Sequence, residues 1–152
     1  MVLWALVAII STPCTGLKGW SALNRVKNHE TWLKSRSTSI PLGEFGSDVA
    51  KYQLKHERDY LSENPLGSEL YRLDGWTEVA QHPRTTKLRV DMCAADLTDQ
   101  ETKLPILKAS EIWHSNDRFT ESLHDLRCSK DHEHAILQGS YQGVSKTPPG
   151  SH

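Results

Sequence analysis

The residues of this chain best suited to chemistry stand close together near its end, where His124, Cys128, Asp131, His132, Glu133 and His134 fall within eleven positions. Thiolate sulfur and imidazole nitrogen are ligands that zinc prefers. The four-residue steps from His124 to Cys128 to His132 put neighbours about one turn apart on a helix face. These residue types point to a zinc site built from His124, Cys128, His132 and His134. For a hydrolytic ion, His124, Cys128 and His132 would ligate, His134 or Asp131 would complete the set, and Glu133 would act as general base. A helix sets one limit, because three ligands at successive turns span about 12 Å, too far for one ion with bonds of about 2.0 to 2.3 Å. The helix must therefore end near Ser129 for His132 or His134 to fold back. The simpler account leaves these histidines solvated, with only weak adventitious metal.

Cys128 has a second claim on it. Of Cys14, Cys93 and Cys128, the last two form an even pair if the first residues are removed, and an even pair can bridge in an oxidising compartment. A Cys93–Cys128 disulfide would close a loop of about 35 residues and stabilise the fold by roughly 3 to 4 kcal/mol. Zinc and a disulfide compete for the same sulfur, so they are alternatives, and two buried reduced thiols are a third.

Other patterns fail on spacing. Glu111 with His114 and Glu121 with His124 each match the Glu-x-x-His step of di-iron bundles, but ten residues leave no room for the separate facing helices that such a centre needs. Gly19-Trp20-Ser21-Ala22-Leu23 has Leu23 where a nucleophile elbow wants glycine. Gly139 and Gly143 ahead of Lys146-Thr147 lack the spacing of a phosphate loop and the helix that must follow it. Glu57, Asp59 and Glu63 offer carboxylate pairs, as any acid-rich chain does.

The elements that would carry these residues read as mostly helical. Ser21 caps a helix to about Lys34 with an apolar stripe of Trp20, Leu23, Val26 and Leu33. Arg36 to Ser47 reads as a Ser-, Gly- and Pro-containing loop, and a helix follows from Ser47 or Asp48 to about Glu63. Asn64-Pro65 breaks it. Short helical pieces are expected over Ser68–Leu73 and Trp76–Gln81, a helix from Pro105 to about Trp113, and another from Asn116 or Asp117 through Leu126. Lys87–Met92 is the one clean alternation and reads as a strand, with no partner of comparable quality except Val2–Ile10. The expectation is a mainly α chain with a small β element, α+β in class, forming a single domain over 17–137 and a disordered tail over 138–152.

Val2 to Ile10 is a charge-free apolar run followed by Pro13, Cys14 and Gly16. It reads as a short export signal over residues 1–16, or else as the most buried helix or strand of a cytoplasmic domain. About 14 Å of helix does not cross a roughly 30 Å hydrocarbon core, so no transmembrane span is expected. Leu, Ile, Val and Phe supply only 33 of 152 residues, close to the level of about 20% below which highly charged chains stay disordered, so the core is thin. Eighteen basic residues against nineteen acidic ones are interspersed, which argues against nucleic acid and anionic lipid as partners. Trp4, Trp20, Trp32, Trp76 and Trp113 read as core or partner-facing anchors.

The sequence favours a small exported non-enzymatic protein that contacts an unknown protein partner, without a cofactor. A zinc-dependent hydrolase using the His124/Cys128/His132 cluster is the alternative. A chain with no selected fold is the third reading, because local signals that agree in evolved sequences disagree here.

Overall fold

A computed structural model describes residues 5–17, 25–135, 140–141 and 144–145. Strand β1 (Val7–Ile10) leads through helix α1 (His29–Lys55) to strand β2 (Asp59–Pro65). Helix α2 (Asp74–Gln81) follows, then strands β3 (Thr86–Asp91) and β4 (Ala109–His114). These four strands form one mixed sheet in the order β1-β2-β4-β3, with β1 parallel to β2 and the other neighbours antiparallel. The chain is therefore α+β around a four-stranded sheet, and the mainly α expectation does not stand. Lys87–Met92 does form a strand, nearly as read, and its partner is β4.

Three misread segments have physical causes. The loop expected over Arg36–Ser47 lies inside α1, which continues through Pro41. Its buried face is Ser39, Gly43, Gly46, Ser47, Ala50, Gln53 and Leu54, which recur at helical spacing but are mostly small. Small residues let the helix axis approach its neighbours closely, and they give no apolar stripe to read. A Cβ on Gly43 would lie 2.6 Å from Leu73 Cδ1, and one on Gly75 of α2 would lie 1.9 Å from Ser47 Oγ. Trp76 Nε1, fully buried, donates to the Gly43 carbonyl at 2.9 Å. The stripe expected ahead of this face is not core, since Val26 and Leu33 are exposed, while Trp20, Ser21 and Leu23 lie outside the described residues.

The second misreading is β2, expected to end a helix. Asn28 caps the start of α1 by accepting from the Thr31 N–H. The helix closes where Glu57 takes a left-handed φ of 55° and Arg58 N–H donates to the Gln53 carbonyl at 2.8 Å. The strand then buries Tyr60, Ser62 and Asn64 on one face. Two of the three are polar, so hydrophobic alternation is hidden. Two of their groups find partners, with Asn64 Nδ2 donating to the Thr12 carbonyl at 2.9 Å and Ser62 Oγ meeting the Tyr71 hydroxyl at 3.2 Å, while Asn64 Oδ1 is buried without one.

The third is β4. Ile112, Trp113 and His114 are buried in succession because both faces of the strand are covered, and a continuous run does not distinguish strand from helix. Under one face lies the main core of Ile10, Leu17, Ala50, Leu54, Tyr60, Leu70, Tyr71, Trp76, Val79 and Trp113. Tyr71 stacks on Trp113 at 4.3 Å, and Trp76 meets both edge-on. Burial pushes the Tyr60 phenol up to about 12, and its hydroxyl meets Thr85 Oγ1 at 2.9 Å. Trp76 and Trp113 are thus core residues, and Trp4 and Trp20 lie outside the described residues.

The other face carries Val90, Ser110, Ile112 and His114, all buried. Segment 116–135 lies over this side, where Thr120 Oγ1 meets His114 Nε2 at 3.3 Å. The helix expected from Asn116 is replaced by two short 3-10 turns and irregular chain. Within the tail expected to be disordered, Ser140–Tyr141 pairs antiparallel with Val144–Ser145. No helix among the described residues is long and apolar enough to cross a membrane.

Candidate metal centre

Segment 116–135 has little regular structure, so its hold on the sheet depends on particular contacts. The strongest are at the end of β3. Asp91 N–H donates to the Leu126 carbonyl at 2.8 Å. The Asp91 carboxylate, almost fully buried, accepts from Cys128 N–H at 3.0 Å, Arg89 Nε at 3.0 Å and Arg127 Nε at 3.2 Å. Burial alone would raise its pKa, but the Cys128 N–H and the two guanidinium groups outweigh that and hold it below the ordinary value. A charge-assisted clamp of this kind fixes the backbone of Cys128 beside the strand end.

The chain leaves β3 through a 3-10 turn, Met92–Ala95, whose buried member is Cys93. Asp96 follows with a left-handed φ of 58°, and Met92 N–H donates to the Lys108 carbonyl at 2.8 Å. Cys93 thereby faces Cys128 across the clamp. Lys130, also left-handed at φ 62°, turns the other segment back, and Ala135 N–H closes it on the Pro105 carbonyl at 2.9 Å. Between these two points His132 and His134 return to the sulfur.

The result is a compact tetrad. One ligand atom each from Cys93, Cys128, His132 and His134 all lie within 4.8 Å of one another. Cys128 Sγ is 3.4 Å from His134 Nε2 and 3.8 Å from His132 Nε2. The edges of a zinc tetrahedron with bonds of about 2.0 to 2.3 Å run from about 3.3 to 3.8 Å, so these separations suit a single ion. Asp131 Oδ1 lies 3.1 Å from His132 Nδ1 and also accepts from Ser129 Oγ. Ser129, then His132, hold the exposed Asp131 carboxyl below its ordinary range. With Nδ1 donating to a carboxylate, the lone pair of His132 is on Nε2, the atom that faces the sulfur.

The two cysteines are free thiols. Burial, and after it the neighbouring Cys128 sulfur, pushes the Cys93 thiol up. Two thiolates at such a distance repel each other unless a cation lies between them, and a coordinated ion inverts that balance.

No family model, curated protein or solved structure matches this chain.

Of the residues that the sequence reading grouped, the fold brings Cys128, His132 and His134 together. His124 is exposed in the turn after the second 3-10 piece and lies outside the tetrad. Its place is taken by Cys93, which had been paired with Cys128 as a disulfide. The chain is not helical at Cys128, His132 or His134, so the limit that a straight helix imposes does not arise. Glu111 and His114 do not form a metal pair, since Glu111 accepts from the Trp113 indole at 2.7 Å and the His114 ring faces Thr120. Gly19, Gly139, Gly143, Lys146 and Thr147 lie outside the described residues.

Proposed function

We propose that the chain is a zinc-binding protein in which Cys93, Cys128, His132 and His134 hold a structural ion that fastens segment 116–135 over the sheet. The observation that carries this reading is the convergence of two sulfurs and two imidazole nitrogens within 4.8 Å. Such ligand chemistry selects zinc among the common divalent ions. Cys93 lies 35 positions before Cys128, so the ion acts as a cross-link, closing a loop that no disulfide closes.

Four protein ligands complete a tetrahedron and leave no position for water, which a hydrolytic ion requires. Glu133, the base in a hydrolase reading, is exposed. The geometry supports a structural role over catalysis.

Purified chain loaded with zinc is expected to retain one equivalent after dialysis against a mild chelator. A retained content below about a tenth of an equivalent would refute the reading, since structural zinc is held by roughly 10 kcal/mol or more. Cobalt substitution supplies the ligand identity, because a tetrahedral site with two sulfurs gives strong visible absorption and a thiolate charge-transfer band. Cys128→Ser is expected to weaken that band, and the double variant Cys93→Ser with Cys128→Ser to remove it.

A further inference from the structure

The two sulfurs of the tetrad differ in setting. Cys93 is buried on a turn anchored to β3, whereas Cys128 is half-buried on a segment with neither helix nor strand. A disulfide needs its sulfurs at about 2.05 Å, and the present separation is no more than 4.8 Å. Closing that gap requires the Cys128 side chain to turn and the irregular chain that carries it to move toward Cys93, against the hold of Asp91 on its N–H.

We propose that this centre is a thiol switch, in which a hydroperoxide joins Cys93 to Cys128 and expels the ion while the cross-link between the β3 turn and segment 116–135 is preserved. The inference rests on the zinc reading above. Cys128 is the sulfur that the oxidant reaches first. Its thiolate attacks one peroxide oxygen, the O–O bond breaks, a sulfenic acid forms and hydroxide leaves. The Cys93 thiolate then attacks the sulfenyl sulfur, the S–S bond forms, the S–O bond breaks and a second hydroxide leaves. Two protons convert both hydroxides to water. In total, two thiolates are oxidised to one disulfide, one hydrogen peroxide is reduced to two waters, and the zinc dication departs.

The ion leaves because it has lost both anionic ligands. His132 and His134 remain as two partly exposed imidazoles, a much weaker pair for zinc than the full tetrad. The tether outlives the metal because the sulfur bond ties the same two segments. What changes is local, since both histidines lose the ion they held.

The test begins with full-length Cys14→Ser chain loaded with one equivalent of zinc, so that the third cysteine cannot intervene. Zinc content is measured before any oxidant is added. Hydrogen peroxide is then titrated in while released zinc is read with a chromogenic chelator and disulfides are mapped by peptide mass spectrometry. The expected result is zinc release in step with an intramolecular Cys93–Cys128 bond, reversed by dithiothreitol plus zinc. Proteolysis within segment 116–135 is expected to be slow in the zinc and disulfide forms and roughly tenfold faster in reduced, metal-free chain. Retention of zinc under oxidant, or its loss with only sulfinic or sulfonic acid or intermolecular bonds, would overturn the switch and leave the zinc site standing. Failure to take up zinc at the first step would instead overturn both.

Discussion

Asp131 touches no ion in the proposed centre, yet it decides which nitrogen of His132 faces the sulfurs. Replacing it with asparagine keeps the size of the side chain and removes its charge. Asp131→Asn is expected to weaken zinc binding by about 10 to 100-fold, as loss of a carboxylate behind a ligating histidine generally does; a competition titration with a fluorescent chelator measures it. His114 offers a separate experiment. Its ring is completely buried, and burial holds its pKa below the ordinary 6.5. The unfolded chain therefore takes up a proton first as the pH falls. The stability contributed by the neutral ring is fully present above about pH 6.5 and is lost as pH falls through the lower folded value. Urea unfolding of wild type and His114→Gln across pH 5 to 7.5 is expected to show a steeper acid loss in wild type. Equal slopes would place the acid sensitivity elsewhere. At this scale the sequence was informative about type and silent about partners. Cys128, His132 and His134 were legible because sulfur and imidazole lie close along the chain. Cys93 lies 35 positions before Cys128, and parity linked it to Cys128 only as a disulfide.

Helix α1 shows how an element can be present without announcing itself. Its inner face is made mostly of serine and glycine, residues that composition assigns to loops, and Pro41 sits within the helix. Proline costs an isolated helix about 3 kcal/mol, so packing against α2, β1 and β2 has to supply the difference. The close approach gives a direct prediction. Gly75→Ala would place a methyl group 1.9 Å from Ser47 Oγ and 2.9 Å from Ser47 Cβ. Although alanine is the better helix former, the clash is expected to dominate and to destabilise the fold by about 1 to 3 kcal/mol. A midpoint equal to or above that of wild type in a urea titration would show that the two helices separate at little cost. Strands β2 and β4 were hidden for related reasons. The Ser62 hydroxyl and the Asn64 amide N–H inside β2 find partners, Tyr71 and Thr12, that only the assembled fold provides, and β4 is covered on both faces.

Across the whole molecule, the first residues are joined to the rest in ways that make them hard to remove. Ile10 is core, Thr12 accepts from buried Asn64, and the Leu17 carbonyl accepts from Glu69 N–H and Ser68 Oγ. Deleting residues 1–16 takes β1 out of the sheet and leaves the Asn64 amide without its Thr12 partner. The amide alone is expected to cost about 1 to 3 kcal/mol, and the loss of Ile10 about 2 to 5 more. Against a total stability of about 5 to 15 kcal/mol, the truncated chain is expected to lose most of its cooperative urea transition. An intact transition would favour a mature domain that begins after Gly16, as an export signal requires. Residue types alone established the shortage of oil and the balance of charge, and they pointed to zinc as the ion that the histidine-rich segment would suit, because these are properties of side chains wherever they stand. Which sulfur joins that segment, which polar groups are buried with partners and which small residues form a packing face rather than a loop were settled only by folding, because each depends on distances between residues remote along the chain.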